Sequence, residues 1–224
     1  MTIIPEKERA VVKELFAKQL KDEVRLVNFT QEFECEYCRE TSELLQELSS
    51  LSQGKIKFET HDLVNHSDLA RELRIDKIPA TIIMHGKEGK SARGVRYFGI
   101  PSGYEFTSLL EDIIDTSRGS TRLSQASRQK VKTITKPVHI QVFVTPTCPY
   151  CPKAVRIAHQ FAMENNLIEG DMIEAVEFPQ LANKYEVMGV PKSVINDNTS
   201  FEGAMPEEHF LEQVMLALGE APHS

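Results

Sequence analysis

The residues most able to do chemistry are four cysteines in two Cys-x-x-Cys pairs, Cys35-Glu36-Tyr37-Cys38 and Cys148-Pro149-Tyr150-Cys151, about half a chain apart. Three chemistries are open to such pairs. A zinc site needs four thiolates or imidazoles converging on one tetrahedron. Here each pair belongs to its own half, and no His lies within five residues of either, so no metal site is expected. Four buried, inert thiols would satisfy packing, but would leave unexplained why the spacing occurs twice at the same kind of boundary. The third chemistry is dithiol–disulfide exchange, in which one thiolate attacks a target disulfide and the second resolves the mixed disulfide.

The elements around the pairs favour exchange. Val24–Phe29 reads as a strand before the first pair. Val138–Val144 reads as a strand before the second, with Val138, Ile140, Val142 and Val144 alternating at period two. A helical pattern follows each pair, marked by Leu44, Leu45, Leu48 and Leu51 in one case and by Val155, Ala158, Phe161 and Ala162 in the other. A strand that turns into a helix there sets Cys35 and Cys148 at a helix N-terminus. Its unpaired N–H groups and dipole favour the anionic, nucleophilic form of sulfur.

The pairs belong to a repeat. Strands are expected at Lys55–His61 and Met172–Phe178. The segments Leu69–Ile83 and Leu181–Ile195 then match without a gap at an offset of 112 residues, while Cys35 and Cys148 differ by 113. Both segments carry Pro between a helix and an apolar strand, Ile78-Pro79 and Val190-Pro191. Pro cannot donate within a ladder, so each is expected at its strand's first position. A cis bond there would leave backbone groups free to hold an extended polypeptide beside the thiolate.

Each half closes with a hairpin-like stretch, Arg93–Phe98 or Thr199–Gly203, and a helix, near Gly103–Thr116 or Pro206–Leu218. Opening helices are expected near Glu6–Leu20, with Val11, Val12, Leu15 and Phe16 on the apolar face, and near Leu123–Ile134. The polar run Ser117–Thr121 separates the halves, giving units 1–119 and 120–224, each α-βαβαββα. The expected fold class is α/β.

These motifs resemble the thioredoxin superfamily. Cys148-Pro149-Tyr150-Cys151 has the glutaredoxin dipeptide, and the tandem arrangement is similar to the protein disulfide oxidoreductases of thermophilic archaea and bacteria. Val95–Gly99 and Val144–Pro152 agree locally. The resemblance implies two thioredoxin-like folds, each a central mixed sheet flanked by helices, packed as one body. It implies reduction and oxidation of protein disulfides or dithiols, with isomerisation open to the same sites. It also implies redox-active disulfides with no cofactor, and a thioredoxin-reductase-like flavoprotein as electron donor. Cys35, Cys38, Cys148 and Cys151 carry over as redox residues, and Pro79 and Pro191 as cis prolines. The alternatives are an electron-carrier module for a peroxide reductase, or a non-catalytic redox-sensing or metal-binding module. One departure stands out: where many thioredoxins bury an Asp before the first Cys, this chain has Asn28 and Val142, neither of which is a base. Lys153 and Lys192 are weak substitutes and read better as solvated lysines.

The two sites differ in charge. Glu36 lies inside the first pair, and a carboxylate about 7 Å from a thiolate opposes its formation by roughly 0.4–1.7 pKa units for dielectric constants between about 80 and 20. Pro149 carries no charge. Cys148 is therefore expected to be the more acidic thiol and the second site the more reactive. Tyr37 and Tyr150 are expected beside the sulfurs. His61-Asp62, Glu43, Glu47 and the charged run Asp68–Arg74 read as surface features.

Composition bounds the rest. The chain has 224 residues, 41% hydrophobic and 26% charged, which is ordinary globular usage. Net charge is −7 with the basic residues interleaved among acids, so no nucleic-acid partner is expected. No apolar run has the roughly 18 residues of a membrane helix. Charges at Glu6–Arg9 stand where a signal peptide would be apolar, so a cytoplasmic location is expected.

Overall fold

The computed structural model describes residues 3–86 and 94–220. The elements run α1 (Glu6–Gln19), β1 (Val24–Thr30), α2 (Cys38–Leu51), β2 (Ile56–Asp62), α3 (Ser67–Glu72), β3 (Ala80–His85), β4 (Val95–Phe98) and α4 (Glu105–Arg118). The order then repeats as α5 (Gln125–Lys132), β5 (Val138–Val144), α6 (Cys151–Glu164), β6 (Ile168–Glu174), α7 (Pro179–Lys184), β7 (Lys192–Ile195), β8 (Thr199–Glu202) and α8 (Glu207–Ala217). Arg93, expected to open a strand, lies outside the described residues.

The eight strands among the described residues form one sheet in the order β2-β1-β3-β4-β6-β5-β7-β8. The halves meet where β4 runs parallel to β6, Val95 opposite Gly170 and Phe98 opposite Ile173. Period-two alternation sends successive side chains to opposite faces. Val24 and Leu26, Val95 and Tyr97, and Val138, Ile140, Val142 and Val144 enter one core with α1, α2, α4, α5, α6 and α8. Val27 and Phe29, Ile82 and Met84, Phe98, Phe143 and Ile173 enter a second core beneath Ala70, Leu73 and Phe178, on the side of α3 and α7. The result is three layers, with the sheet in the middle.

A buried polar network crosses the junction. Arg96 on β4 donates through Nε to Asp171 Oδ1 at 2.6 Å and through Nη2 to Asp171 Oδ2 at 3.0 Å, and His139 Nε2 lies 2.7 Å from the same carboxylate. Burial pushes the Asp171 carboxyl up, but Arg96 and His139 more than reverse this and hold it well below the usual carboxylate range. On the other face, Asp112 of α4 accepts from the Tyr97 hydroxyl, lies 2.6 Å from His159 Nδ1, and pairs with Arg156. Burial, together with the Arg156 charge, pushes His159 down to about 3. Helix α6 of the second half is thus tied to α4 of the first.

Three expectations change in detail. The strand expected at Met172–Phe178 is β6, Ile168–Glu174, because the Glu174 side chain accepts from the Glu177 N–H at 2.7 Å and closes a turn after it. Val11 is 65% exposed; α1 buries only Val12 and Phe16, a stripe narrower than expected. The helices after the Cys pairs begin at Cys38 and Cys151, the second cysteine of each pair.

Candidate active site

Strand directions place both Cys pairs at the same end of the sheet, beyond the C-termini of the interior strands β1 and β5. β1 is antiparallel to β3, β3 to β4, and β4, β6 and β5 are mutually parallel, so β1 and β5 point the same way. They are four strands apart, about 19 Å at the usual spacing. The pairs therefore cannot share one metal tetrahedron. Among the described residues, no group of three or more His, Cys, Asp or Glu could hold a metal ion, and no helix is long and apolar enough to cross a membrane.

Each pair is a disulfide with Cα atoms 5.5 Å apart. In the first, Cys35 is half-buried and Cys38 is 2% exposed as the opening residue of α2. In the second, Cys148 is 7% exposed and Cys151 is sealed at 0%. The Cys148 N–H donates to the Thr145 carbonyl at 3.1 Å, forming the turn between β5 and α6. The Cys151 N–H donates to Cys148 Sγ at 3.1 Å, so the helix start points a donor at that sulfur, as an anion would require. Cys148 Sγ also lies 3.6 Å from the Val190 carbonyl oxygen, which brings the expected Val190-Pro191 loop to the site.

The peptide bonds Ile78–Pro79 and Val190–Pro191 are both cis. Each precedes its strand, and each Pro carbonyl accepts from a glycine amide across the sheet: Gly99 to Pro79 at 2.9 Å and Gly203 to Pro191 at 2.8 Å. Glu36 is exposed between its cysteines, as are Pro149 and Tyr150, the latter 70% exposed, while Tyr37 is half-buried. The Glu36 charge beside it raises the Tyr37 phenol. Asn28 is fully buried and its amide donates to Ser42 Oγ at 2.8 Å. Lys153 is exposed, and Lys192 donates to the Glu186 carbonyl at 2.9 Å. The structure gives neither lysine a bond to a cysteine.

Sequence reasoning missed the groups each half lends to the other's site. The six residues Gly99–Tyr104 cross between the sites. At one end Gly99 holds Pro79, and the Ile100 N–H donates to Glu177 Oε1 at 2.7 Å. At the other, the Tyr104 N–H donates at 3.1 Å to the carbonyl of Pro146, two residues before Cys148. Gly103 has φ +60°, and a Cβ on it would sit 2.1 Å from that carbonyl oxygen, so only Gly fits. Next in the chain, Glu105 is 1% exposed, and burial raises its carboxyl to about 7 against the opposing effect of Ser108. Glu177 is half-buried. Burial raises it to about 7, the bond from the Ile100 N–H lowers it, and the charges of Glu174 and Glu36 raise it further. No local motif marks these acids; Glu105 follows the strap into the core beside Tyr97, and Glu177 reaches the turn of the first pair across the β4–β6 junction.

A family model described as thioredoxin matches residues 7–99, and another described as thioredoxin domain matches residues 138–216. The crystal structure of a protein disulfide oxidoreductase from Aeropyrum pernix is 31% identical, with 98% of this chain and 96% of that one covered and a TM-score of 0.89. The N-terminal domain of alkylhydroperoxide reductase AhpF from Enterococcus faecalis is 26% identical, covering 94% and 99%, with a TM-score of 0.86. A thioredoxin from Methanocaldococcus jannaschii is 38% identical over 82 residues, 36% of this chain and 96% of its own length. The chain spans 24% of the length of the first curated relatives it matches.

Proposed function

Because the chain belongs to the thioredoxin family, we propose that it is a dithiol–disulfide oxidoreductase acting on protein disulfides through Cys35/Cys38 and Cys148/Cys151. The carrying observation is the Cys151 N–H directed at Cys148 Sγ from the first turn of α6. In the reducing direction the Cys148 thiolate attacks one sulfur of a target disulfide. The S–S bond breaks and the departing target sulfur takes a proton from water. Cys151, losing its own proton, then attacks Cys148 Sγ and releases the second target thiol. Two thiols of this chain are oxidised as one target disulfide is reduced, and the reverse sequence oxidises a target dithiol. Cys35 and Cys38 act in the same way at the other site. Ile78-Pro79 and Val190-Pro191 hold the target backbone, and Glu36, Tyr37, Pro149 and Tyr150 modulate the two thiols.

In this reading residues 1–119 and 120–224 each form one unit, and the active groups are the disulfides themselves. Protein disulfides and dithiols are the substrates, and the cytoplasm, where a reductant can recycle the pairs, is the working compartment. Insulin reduction with dithiothreitol tests the reading: wild type accelerates precipitation, and the quadruple Cys→Ser variant leaves the background rate. Equal rates for the two would refute it.

The likeness to the AhpF domain favours a second reading, in which the chain carries electrons for a flavoprotein reductase. That role demands flavoprotein-dependent NADH oxidation that stops in the quadruple variant, with no turnover of insulin.

A further inference from the structure

Three carboxylates act on the turn that carries the first Cys pair, and two of them come from the other half of the molecule. Glu36 lies between the cysteines, Glu174 ends β6, and Glu177 follows in the next turn. Glu177 is bonded twice: its Oε1 accepts from the Ile100 N–H at 2.7 Å, and its own N–H donates to Glu174 Oε2 at 2.7 Å. Ile100 follows Gly99, whose N–H holds the Pro79 carbonyl at 2.9 Å. Gly99 has φ +92°, and a Cβ there would sit 2.7 Å from Glu174 Cβ and 2.8 Å from Glu177 Oε1, so the strap and the acids are packed against each other. A chain of contacts thus runs from Glu177 through Ile100 and Gly99 to the carbonyl of Pro79.

An amide carbonyl would serve as well as a carboxylate to accept one N–H. A half-buried carboxylate with two like charges for neighbours is a costly choice for that task alone. The charged groups acting on Glu177 are Glu174, from the end of β6, and Glu36, from the turn between the cysteines. Glu177 and Glu174 in turn act on Tyr37, inside the pair. We propose that Glu177, a residue of the second half, is a positioning residue of the first redox site: it anchors the strap that fixes the Pro79 loop, and its charge opposes ionisation of Cys35. The inference rests on the function proposed above and assigns to that site a regulator from across the strand junction.

The test uses the full chain with C148S and C151S, so that only the first site reacts, carrying Glu177, E177Q or E177A. Glutamine keeps the acceptor for Ile100 and removes the charge. E177Q is expected to reduce insulin within twofold of the parent, while the midpoint of Cys35 alkylation by iodoacetamide falls by about half a pH unit. E177A loses the anchor as well, and its insulin rate is expected to fall at least about tenfold, with E177Q as the conservative rescue. An E177A rate within twofold of the parent, or an unmoved E177Q midpoint, would overturn the proposal. So would an equal loss at the second site when E177A is placed in a C35S/C38S chain, since that reports general damage. If the parent turns over no insulin, the functional reading fails for this half, and the alkylation midpoint alone decides the role of Glu177.

Discussion

Gly103 and Pro146 approach so closely that a single added carbon on Gly103 would sit 2.1 Å from the Pro146 carbonyl oxygen. Pro146 precedes Cys148 by two residues, so backbone of the first half forms one wall of the second redox site. Gly103→Ala combines this overlap with a left-handed φ. It is expected to cost about 2–4 kcal/mol of stability in urea unfolding, and to slow the second site more than the first in single-site variants. A Gly103→Ala chain as stable as wild type would show that the loop yields freely.

Cys148 is expected to titrate at a lower pH than Cys35. Its sulfur accepts the Cys151 N–H, and the neutral Pro149 stands where the first pair has Glu36. The difference should be on the order of one pH unit. Iodoacetamide rates against pH, measured in C35S/C38S and C148S/C151S chains, give both midpoints. Cys35 titrating first would contradict the assignment of the second site as the more reactive.

Glu105 makes stability fall with rising pH. Its folded carboxyl is raised to about 7 from an ordinary 4.5, so the folded chain binds a proton more tightly than the unfolded chain. That contribution is complete below about pH 4.5 and is lost as pH climbs through 7, with a size on the order of 3 kcal/mol. Glu105→Gln should flatten the decline between about pH 5 and pH 8 in denaturant titrations, whatever it does to absolute stability. An unchanged slope would mean that Glu105 ionises as freely in the folded chain as in the unfolded one.

Asp171→Asn leaves the buried Arg96 with Glu169, 3.1 Å from its Nη2, as its remaining carboxylate. Removing one partner of a buried pair costs up to about 3–5 kcal/mol, and here the loss falls on the strand junction. Limited proteolysis should then cut between the halves faster than in wild type. Resistance equal to wild type would show that strand pairing and packing alone hold the junction.

The sequence carried the repeat, the Cys pairs and the alternation in Val138–Val144 because these are local patterns, and the structure shows the same order of elements in each half. It misplaced β6 by four residues at each end; at the far end, the mostly apolar Ala175–Phe178 reads as strand, whereas the Glu177 N–H bonded to the Glu174 side chain closes a turn there. Asn28 and Val142 announced that the usual buried acid is missing, but nothing local pointed to Glu105 or Glu177. Glu177 reaches the first half only because β4 pairs with β6, a contact between segments about 75 residues apart. Pairings of that range leave no trace in periodicity.

The β4–β6 pairing also decides what becomes of either unit in isolation. A chain cut near Gly119 would bare Val95–Phe98 in one fragment and Ile168–Glu174 in the other, each a former interior strand with unused backbone donors and acceptors. Both are rich in buried side chains and lack the shielding that true border strands carry. Fragments of this kind are expected to re-associate or aggregate. Each half completes the other's sheet, so separating them exposes an interior strand on both.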